Sequence, residues 1–238
     1  MSKTVVVFGA GTGLGAAVAR RFGREGYRVA LVARNRDRLA ALAAALAGEG
    51  VEAAVFPADL SRTDEVPALI GRIRERFGRI DVIEYAPITT DLFTPATELD
   101  AASEQHYLNL HLLTPIEIVR AVLPEMLERG DGGILIGQGA TAVEPAPFRS
   151  GLGPAMAAAR NYIQSLHGEV ADRGVYAATL HIGAMIVGSA GHEAITSGQV
   201  KISIDPALIP TIEPADLADL MWTMLTKRDR SDDLVPAA

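Results

Sequence analysis

A short strand-like run followed at once by four closely spaced glycines constrains this chain more than any other feature. Thr4 to Phe8 is apolar and β-branched, which predicts a strand buried on both faces. After the glycines, Leu14, Val18 and Phe22 recur at helical spacing. The order of strand, glycine-rich turn and helix predicts a dinucleotide site, because the free N–H groups of the helix's first turn favour a phosphate. The alternative is a turn that only packs the helix on the strand.

The rest of the chain alternates strand-like and helix-like segments. The apolar runs predict further strands at 28–32, 52–56, 80–83, 134–136, 175–181 and 234–235. Helical spacing predicts helices at 36–48, 66–77, 100–129, 156–170 and 214–226, with a kink or break of the long one at Pro115 or Pro124. The stretch 188–200 is polar and contains glycine, and no element is predicted there. Alternation predicts right-handed crossovers and a parallel sheet, hence one α/β domain over residues 1–238, a Rossmann-like doubly wound sheet with helices on both faces.

Composition narrows the class of function. The chain has 238 residues, 49% of them hydrophobic, with a formal net charge of −7. This acidic balance argues against a nucleic-acid partner, because phosphate binding needs a basic face. There are no cysteines, and the five histidines form no pair at metal-ligand spacing, so no metal site is predicted. We find no membrane-span pattern and no signal peptide, and we expect a cytoplasmic protein.

The end of the second predicted strand bears on which dinucleotide is bound. Enzymes that use NAD usually carry an acid here, which binds the ribose 2′-hydroxyl, whereas a nearby arginine suits a 2′-phosphate. In this chain the strand runs into Ala33 and Arg34, so the acid is missing and a guanidinium stands beside its place. This pattern favours NADP(H), although Arg34 is also one of several arginines that a solvated surface would explain.

The carboxyl ends of parallel strands meet at one edge of the sheet, where ligands bind. The predicted cofactor-binding residues follow these strand ends: Gly9, Gly11, Thr12, Gly13, Leu14, Gly15, Arg34, Asn35, Asp59, Leu60, Ala86 and Gly183.

Over nearly its whole length the chain resembles the short-chain dehydrogenase/reductase family. The resemblance is carried by the spacing of Gly9, Gly13 and Gly15, by Asp59 after the third strand, and by Asn109 in the long helix. It implies that Asp59 meets the adenine, that Asn109 supports the active site, and that the protein is a homodimer or homotetramer acting on a small-molecule substrate.

The catalytic part of the family pattern is absent. The family's serine after the fifth strand is replaced by Gln138, and its Tyr-x-x-x-Lys motif aligns with Leu152 and Met156. In the family the lysine lowers the pKa of the tyrosine, which exchanges a proton with the substrate, and such acid–base help is worth roughly 10²–10⁴ in rate. Neither Leu152 nor Met156 can do this. Phe8 also replaces the usual threonine before the first glycine.

Other polar residues along the predicted edge are candidates to act instead. The predicted catalytic residues are Asn109, Tyr85 as a proton donor, and Gln138 as a hydrogen-bond partner of the substrate. Tyr85 has an equal alternative as an aromatic ring packed on the cofactor. Weaker candidates, each with a structural alternative, are Glu84, His111, Thr141, Glu144 and His181.

Three functions are compatible with this pattern. The first is an NADP(H)-dependent oxidoreductase with a non-standard active site, acting on an activated C=N, C=C or carbonyl group. The second is a catalytically inactive NADP(H)-binding protein that serves as a sensor or partner subunit. The third is a non-redox enzyme, which the retained nucleotide contacts disfavour. The first is preferred by a small margin.

Overall fold

The strands of the computed structural model, which describes residues 2–89, 94–199 and 209–236, are short and mostly buried. In chain order they are Thr4–Phe8 (β1), Arg28–Ala33 (β2), Ala53–Pro57 (β3), Val82–Tyr85 (β4), Gly132–Gly139 (β5), Val175–Ile182 (β6), Met185–Ile186 (β7), Thr211–Ile212 (β8) and Asp232–Val235 (β9). The helices are Leu14–Arg24 (α1), Arg36–Gly48 (α2), Val66–Phe77 (α3), Ala101–Leu108 (α4), Thr114–Arg129 (α5), Gly153–Val170 (α6), Ala190–Thr196 (α7) and Pro214–Lys227 (α8).

Seven of the strands form one sheet in the order β3-β2-β1-β4-β5-β6-β9, and every neighbouring pair is parallel. The order reverses beside β1, so the switch point lies between β1 and β4, where ligands of such sheets bind. The predicted doubly wound α/β fold is confirmed. It follows from apolar runs too short for helices, each separated from the next by an amphipathic helix.

Each face of the sheet has its own hydrophobic core. On one face α3, α5 and α6 cover side chains such as Val6, Ile83 and Ile134. On the other, α1, α2 and α8 cover Val5, Val7 and neighbours. Because both faces are dry, polar side chains on the strands are confined to the strand ends or must find partners inside.

The long helix predicted at 100–129 is two helices joined by a π-helical turn, Asn109–Leu113. Pro115 is the second residue of α5 and lies two residues after the last residue of this turn. Pro124 lies inside α5, and the helix continues through it. The break therefore comes at the first of the two predicted prolines.

The stretch after β6 holds elements that the sequence did not predict. Strands β7 and β8 form a separate two-stranded parallel sheet, and α7 follows β7 after a short turn. Ser189 caps α7 by accepting a hydrogen bond from the His192 N–H at 3.1 Å. Val200, the last residue of the stretch predicted to lack an element, lies outside the described residues.

Glu84 is a carboxylic acid buried in the middle of the sheet. It lies between Val7 of β1 and Leu135 of β5, is 0% exposed, and neither carboxyl oxygen has a hydrogen-bond partner. Burial raises the pKa of Glu84 to about 8, because the charged form is poorly solvated there.

Glu84 should make the free energy of unfolding depend on pH. A carboxyl whose pKa rises on folding favours the folded state below its ordinary pKa, and this contribution is lost as the pH rises toward about 8. Between pH 5 and pH 8 we expect Glu84→Gln to gain several kcal/mol relative to the wild type. Urea unfolding of both proteins at the two pH values measures this, and parallel pH profiles would contradict it.

Candidate active site

Glycines in the turn between β1 and α1 allow close packing of the backbone beside the start of the helix. Gly9 has φ +97°, and a Cβ there would lie 2.8 Å from the Pro87 backbone nitrogen. A Cβ on Gly15 would lie 2.6 Å from the carbonyl oxygen of Gly9. Helix α1 starts without a side-chain cap and without an acid in its first turn, so its N–H groups remain available to an anion.

A cleft of about 290 Å³ runs from this turn toward the ends of β2 and β3. The predicted residues Arg34, Asn35, Asp59, Leu60 and Ala86 all line it. Among the described residues, neither Arg34 nor Arg38 forms an ion pair. Arg38 lines the same cleft, although it was not among the predicted cofactor-binding residues.

The polar groups of this cleft are held in place locally. Asn35 Oδ1 caps α2 by accepting from the Arg38 N–H at 2.9 Å. Asp59 Oδ1 accepts from the backbone N–H and the hydroxyl of Ser61, at 3.0 and 2.8 Å. Partial burial opposes ionisation of Asp59, but these hydrogen bonds and the charges of Arg34 and Arg62 together lower its pKa.

A second cleft, of about 260 Å³, opens on the other side of the same turn and shares Gly9, Gly11 and Ala86 with the first. The remaining predicted residues that line it are Thr12, Gly13, Leu14, Gly15 and Gln138. Because they share lining residues, the two clefts together form one groove across the switch point.

The far wall of the second cleft is apolar where acid–base groups were sought. Met156 lines it and is 1% exposed, and Leu152 packs beside Met156 in a small cluster with Tyr107 and Ala142. No proton can be exchanged by either of these two side chains.

The expectation that Tyr85 donates a proton in the cleft was wrong. Strand β4 continues through Tyr85, so the pleat turns its ring away from Glu84 and into the core below α3 and α5. The ring is 2% exposed, packs on Phe8, and its hydroxyl donates to the carbonyl of Leu110. Burial raises the pKa of Tyr85 well above its ordinary value.

Two further predicted residues lie near the groove without lining it. Asn109 begins the π-helical turn and accepts a hydrogen bond from Gln105 Nε2 at 2.8 Å, so its supporting role stays a prediction. Gly183 donates its N–H to the Val235 carbonyl at 2.7 Å, while its neighbours Ile182 and Ala184 line the second cleft.

His111 does not reach the groove either. It is 5% exposed, and burial, with a smaller effect of His106, lowers its pKa to about 4. Neither cleft is lined by Glu84, Thr141 or Glu144.

Gln138 is joined to a buried chain of polar groups. Its Nε2 lies 3.4 Å from Nδ1 of His181, the residue opposite it on β6. His181 Nε2 lies 2.8 Å from Asp232 Oδ1 on β9. Asp232 also accepts from Arg160 Nη2 at 2.6 Å and from the Thr179 hydroxyl. The sequence analysis did not identify Asp232, because no local sequence pattern indicates that β9 pairs with β6.

The electrostatics of Asp232 keep it ionised. Partial burial opposes its charge, but hydrogen bonds from Arg160, Thr179 and His181 outweigh this and lower its pKa to about 2. The carboxylate is therefore an acceptor toward His181.

His192 was also missed. Among the described residues that line the second cleft it is the one ionisable side chain. Its Nδ1 accepts from the Gly188 N–H at 3.3 Å, so the neutral ring carries its proton on Nε2. The signal available in the sequence was weak, because His192 lies in a stretch where no element was predicted.

The described residues offer neither a metal site nor a membrane-spanning helix. No cluster of three or more histidine, cysteine or acidic residues there has a geometry that would hold a metal ion. Within the same residues, no helix is both long and apolar enough to cross a membrane.

The chain that forms this groove matches a known protein family. Residues 3–194 match the family model for short chain dehydrogenases. The chain belongs to the short-chain dehydrogenase family.

The relatives are distant. A short chain dehydrogenase of Pseudocercospora fijiensis is 29% identical over 186 residues, which is 77% of this chain and 60% of that protein's own length. An alcohol dehydrogenase of Thermococcus sibiricus, solved with 5-hydroxy-NADP, is 26% identical with a TM-score of 0.82, covering 99% of this chain and 96% of that one. The L-sorbose reductase of Gluconobacter frateurii, solved with NADPH and L-sorbose, is 22% identical with a TM-score of 0.87, covering 98% and 95%.

The placement of Tyr85 predicts a purely structural effect of its hydroxyl. Tyr85→Phe should lower the free energy of unfolding by about 0.5–1.5 kcal/mol, because the buried Leu110 carbonyl loses its donor. Urea unfolding measures this loss. Nucleotide affinity, measured by calorimetric titration, should stay at the wild-type value, and a large loss of affinity would return Tyr85 to the site.

Proposed function

We propose that the protein is an NADP(H)-dependent oxidoreductase of the short-chain type, with a non-standard active site that acts on an activated C=N, C=C or carbonyl group. The observation that carries the proposal is the groove itself, which joins a glycine-rich turn and an arginine-lined cleft to a second cleft walled by Met156 and Gln138. When bound, NADP(H) supplies or accepts a hydride.

The residues present fit this cofactor. Gly9 and Gly15 allow the backbone at the turn to pack closely, and the N-terminus of α1 lines the groove as a partner for the pyrophosphate. Arg34 and Arg38 supply positive charge where NAD enzymes carry an acid, which suits a 2′-phosphate. Asp59 would meet the adenine, and the NADP-type ligands of the two solved relatives agree with this choice.

The second cleft limits which substrates can react. Leu152 and Met156 provide no proton and no charge, so an alkoxide formed from a simple ketone would be left unstabilised, at a cost of several kcal/mol. A substrate that needs a proton must take it from His192 or from water. A substrate that is already activated does not need this proton, and we therefore propose a substrate of that kind.

The alternative is an inactive NADP(H)-binding protein that acts as a sensor or partner subunit. The specific observation in its favour is that Met156, which lines the second cleft, and Leu152, which packs in a cluster with it, are both apolar. It differs from the first proposal in one outcome, namely tight cofactor binding without turnover of any substrate class.

We propose a single-domain cytoplasmic protein that works as a homodimer or homotetramer on a small molecule. The formal net charge of −7 argues against a nucleic-acid partner.

The first prediction of this proposal concerns cofactor choice. NADPH should bind more tightly than NADH, and Arg34→Ala should cost NADPH on the order of 1.5–3 kcal/mol by removing charge-assisted hydrogen bonds. Calorimetric titration of both cofactors measures this. Arg36→Ala is the matched control, because Arg36 is a neighbouring exposed arginine that does not line the cleft. Equal affinities of the wild type for the two cofactors would reject the NADP(H) proposal.

The second prediction concerns substrate class. With NADPH, turnover should be measurable for a cyclic imine or an enone and at least about 10²-fold slower for cyclohexanone, because the usual acid is absent. Gln138→Leu should slow imine turnover. Cofactor oxidation followed for the whole panel decides the matter: ketone rates equal to imine rates would refute the non-standard site, and tight NADPH binding without any turnover would favour the inactive alternative.

A further inference from the structure

The orientation of the Gln138 amide follows from the polar chain behind it. Asp232 is an ionised carboxylate and can only accept, so His181 Nε2, 2.8 Å away, carries a proton. The structure places the amide nitrogen of Gln138, not its oxygen, 3.4 Å from Nδ1 of His181. An amide N–H can only donate, so Nδ1 is the acceptor of this contact and the ring carries its proton on Nε2.

This leaves the oxygen of Gln138 for the cleft. Oε1 has no hydrogen bond to any described residue, yet it is not one of the buried polar atoms without a partner. Gln138 itself lines the second cleft. An unpartnered oxygen that is not sealed off, on a residue of the cleft wall, is an acceptor offered to a ligand.

An acceptor at this position discriminates between substrates. A ketone presents only an oxygen, whose lone pairs would face the lone pairs of Gln138 Oε1. A protonated imine presents an N–H, which donates to that oxygen, and the charge strengthens the hydrogen bond. A site built to pair with a donor also penalises an analogue that lacks one, because its own buried polar group is then left unpaired.

The same substrate class removes the need for the missing acid. When a C=N–H⁺ carbon is reduced, it receives a hydride from the reduced nicotinamide cofactor, which becomes oxidised, and the C=N π pair becomes the nitrogen lone pair. The product is a neutral amine, and no proton has to come from the protein. The absence of a proton donor at Leu152 and Met156 then does not prevent this reduction.

We propose that His181 and Asp232 are positioning residues that turn the Gln138 oxygen toward the cleft, and that the substrate is a protonated imine whose N–H donates to this oxygen. This proposal rests on the proposed function, since it places the substrate in the same cleft beside NADP(H).

The test uses two probes that differ in one hydrogen-bond donor. Protonated 2-methyl-1-pyrroline carries the N–H, and the 1,2-dimethyl-1-pyrrolinium cation carries the same charge and the same C=N bond without it. For the wild type we expect kcat/KM to favour the first probe by on the order of tenfold. Binding of both probes to the protein loaded with NADP⁺, measured by calorimetry, should show the same preference without turnover.

The variants separate the effect of the Gln138 amide orientation from the effect of the extra methyl group of the second probe. His181→Phe should bring the ratio of the two probes close to that of Gln138→Leu, in which the donor has no partner and only the size of the extra methyl group counts. Adding Gln138→Glu to His181→Phe should restore the preference, because a carboxylate presents an acceptor oxygen in either orientation. His167→Phe is the matched control: His167 also bonds through Nδ1, to the Ala177 carbonyl at 3.0 Å, but does not line the cleft.

The outcomes distinguish this proposal from the function on which it rests. A binding preference that disappears in His181→Phe and returns in the double variant, without turnover, supports the oriented acceptor and rejects the oxidoreductase function. Turnover with no preference between the probes, or a preference unchanged in both His181→Phe and Gln138→Leu, overturns the oriented acceptor. Failure of the wild type to bind or reduce either probe overturns it as well. If His181→Phe does not fold, the comparison of the wild type with Gln138→Leu decides.

Discussion

The close approach of two backbone segments, at Gly9 after β1 and at Ala86 and Pro87 after β4, is the constraint on which the rest of the groove depends. A Cβ on Gly9 would overlap the Pro87 backbone. Because β1 and β4 are neighbours at the switch point, this contact sets where both clefts begin and how far they are from each other. The two clefts thus lie on either side of one turn.

Most of the fold could be predicted from the sequence, since buried strands and amphipathic helices leave periodic apolar patterns. What could not be predicted depends on tertiary contacts. The two prolines of the long helical segment look alike in sequence, but only Pro115 coincides with a break, at the π-helical turn. Helix α7 and strands β7 and β8 are short and have no strong periodicity, so they are stabilised by pairing and packing that a local pattern does not show.

The lining of the first cleft could be predicted from the sequence, and the surroundings of the second cleft could be predicted much less well. Glycines and charged residues at strand ends can be recognised as candidates from residue type and position alone. Arg34 and Asp59 do line the first cleft. Tyr85 was misjudged because strand β4 runs further than its apolar core suggests, and one residue of pleat decides between cleft and core. Asp232 belongs to a strand far along the chain, and its link to Gln138 exists only through the register of three strands.

Strand β9 is an edge strand of the sheet and is held on one side only, by β6. Its Asp232 nevertheless controls, through two hydrogen bonds, the polarity of a group on the cleft wall. An edge strand is therefore linked by hydrogen bonds to the wall of the second cleft. A substitution in β9, or in its pairing with β6, would therefore alter the wall of the second cleft without touching the central strands that carry the glycine turn.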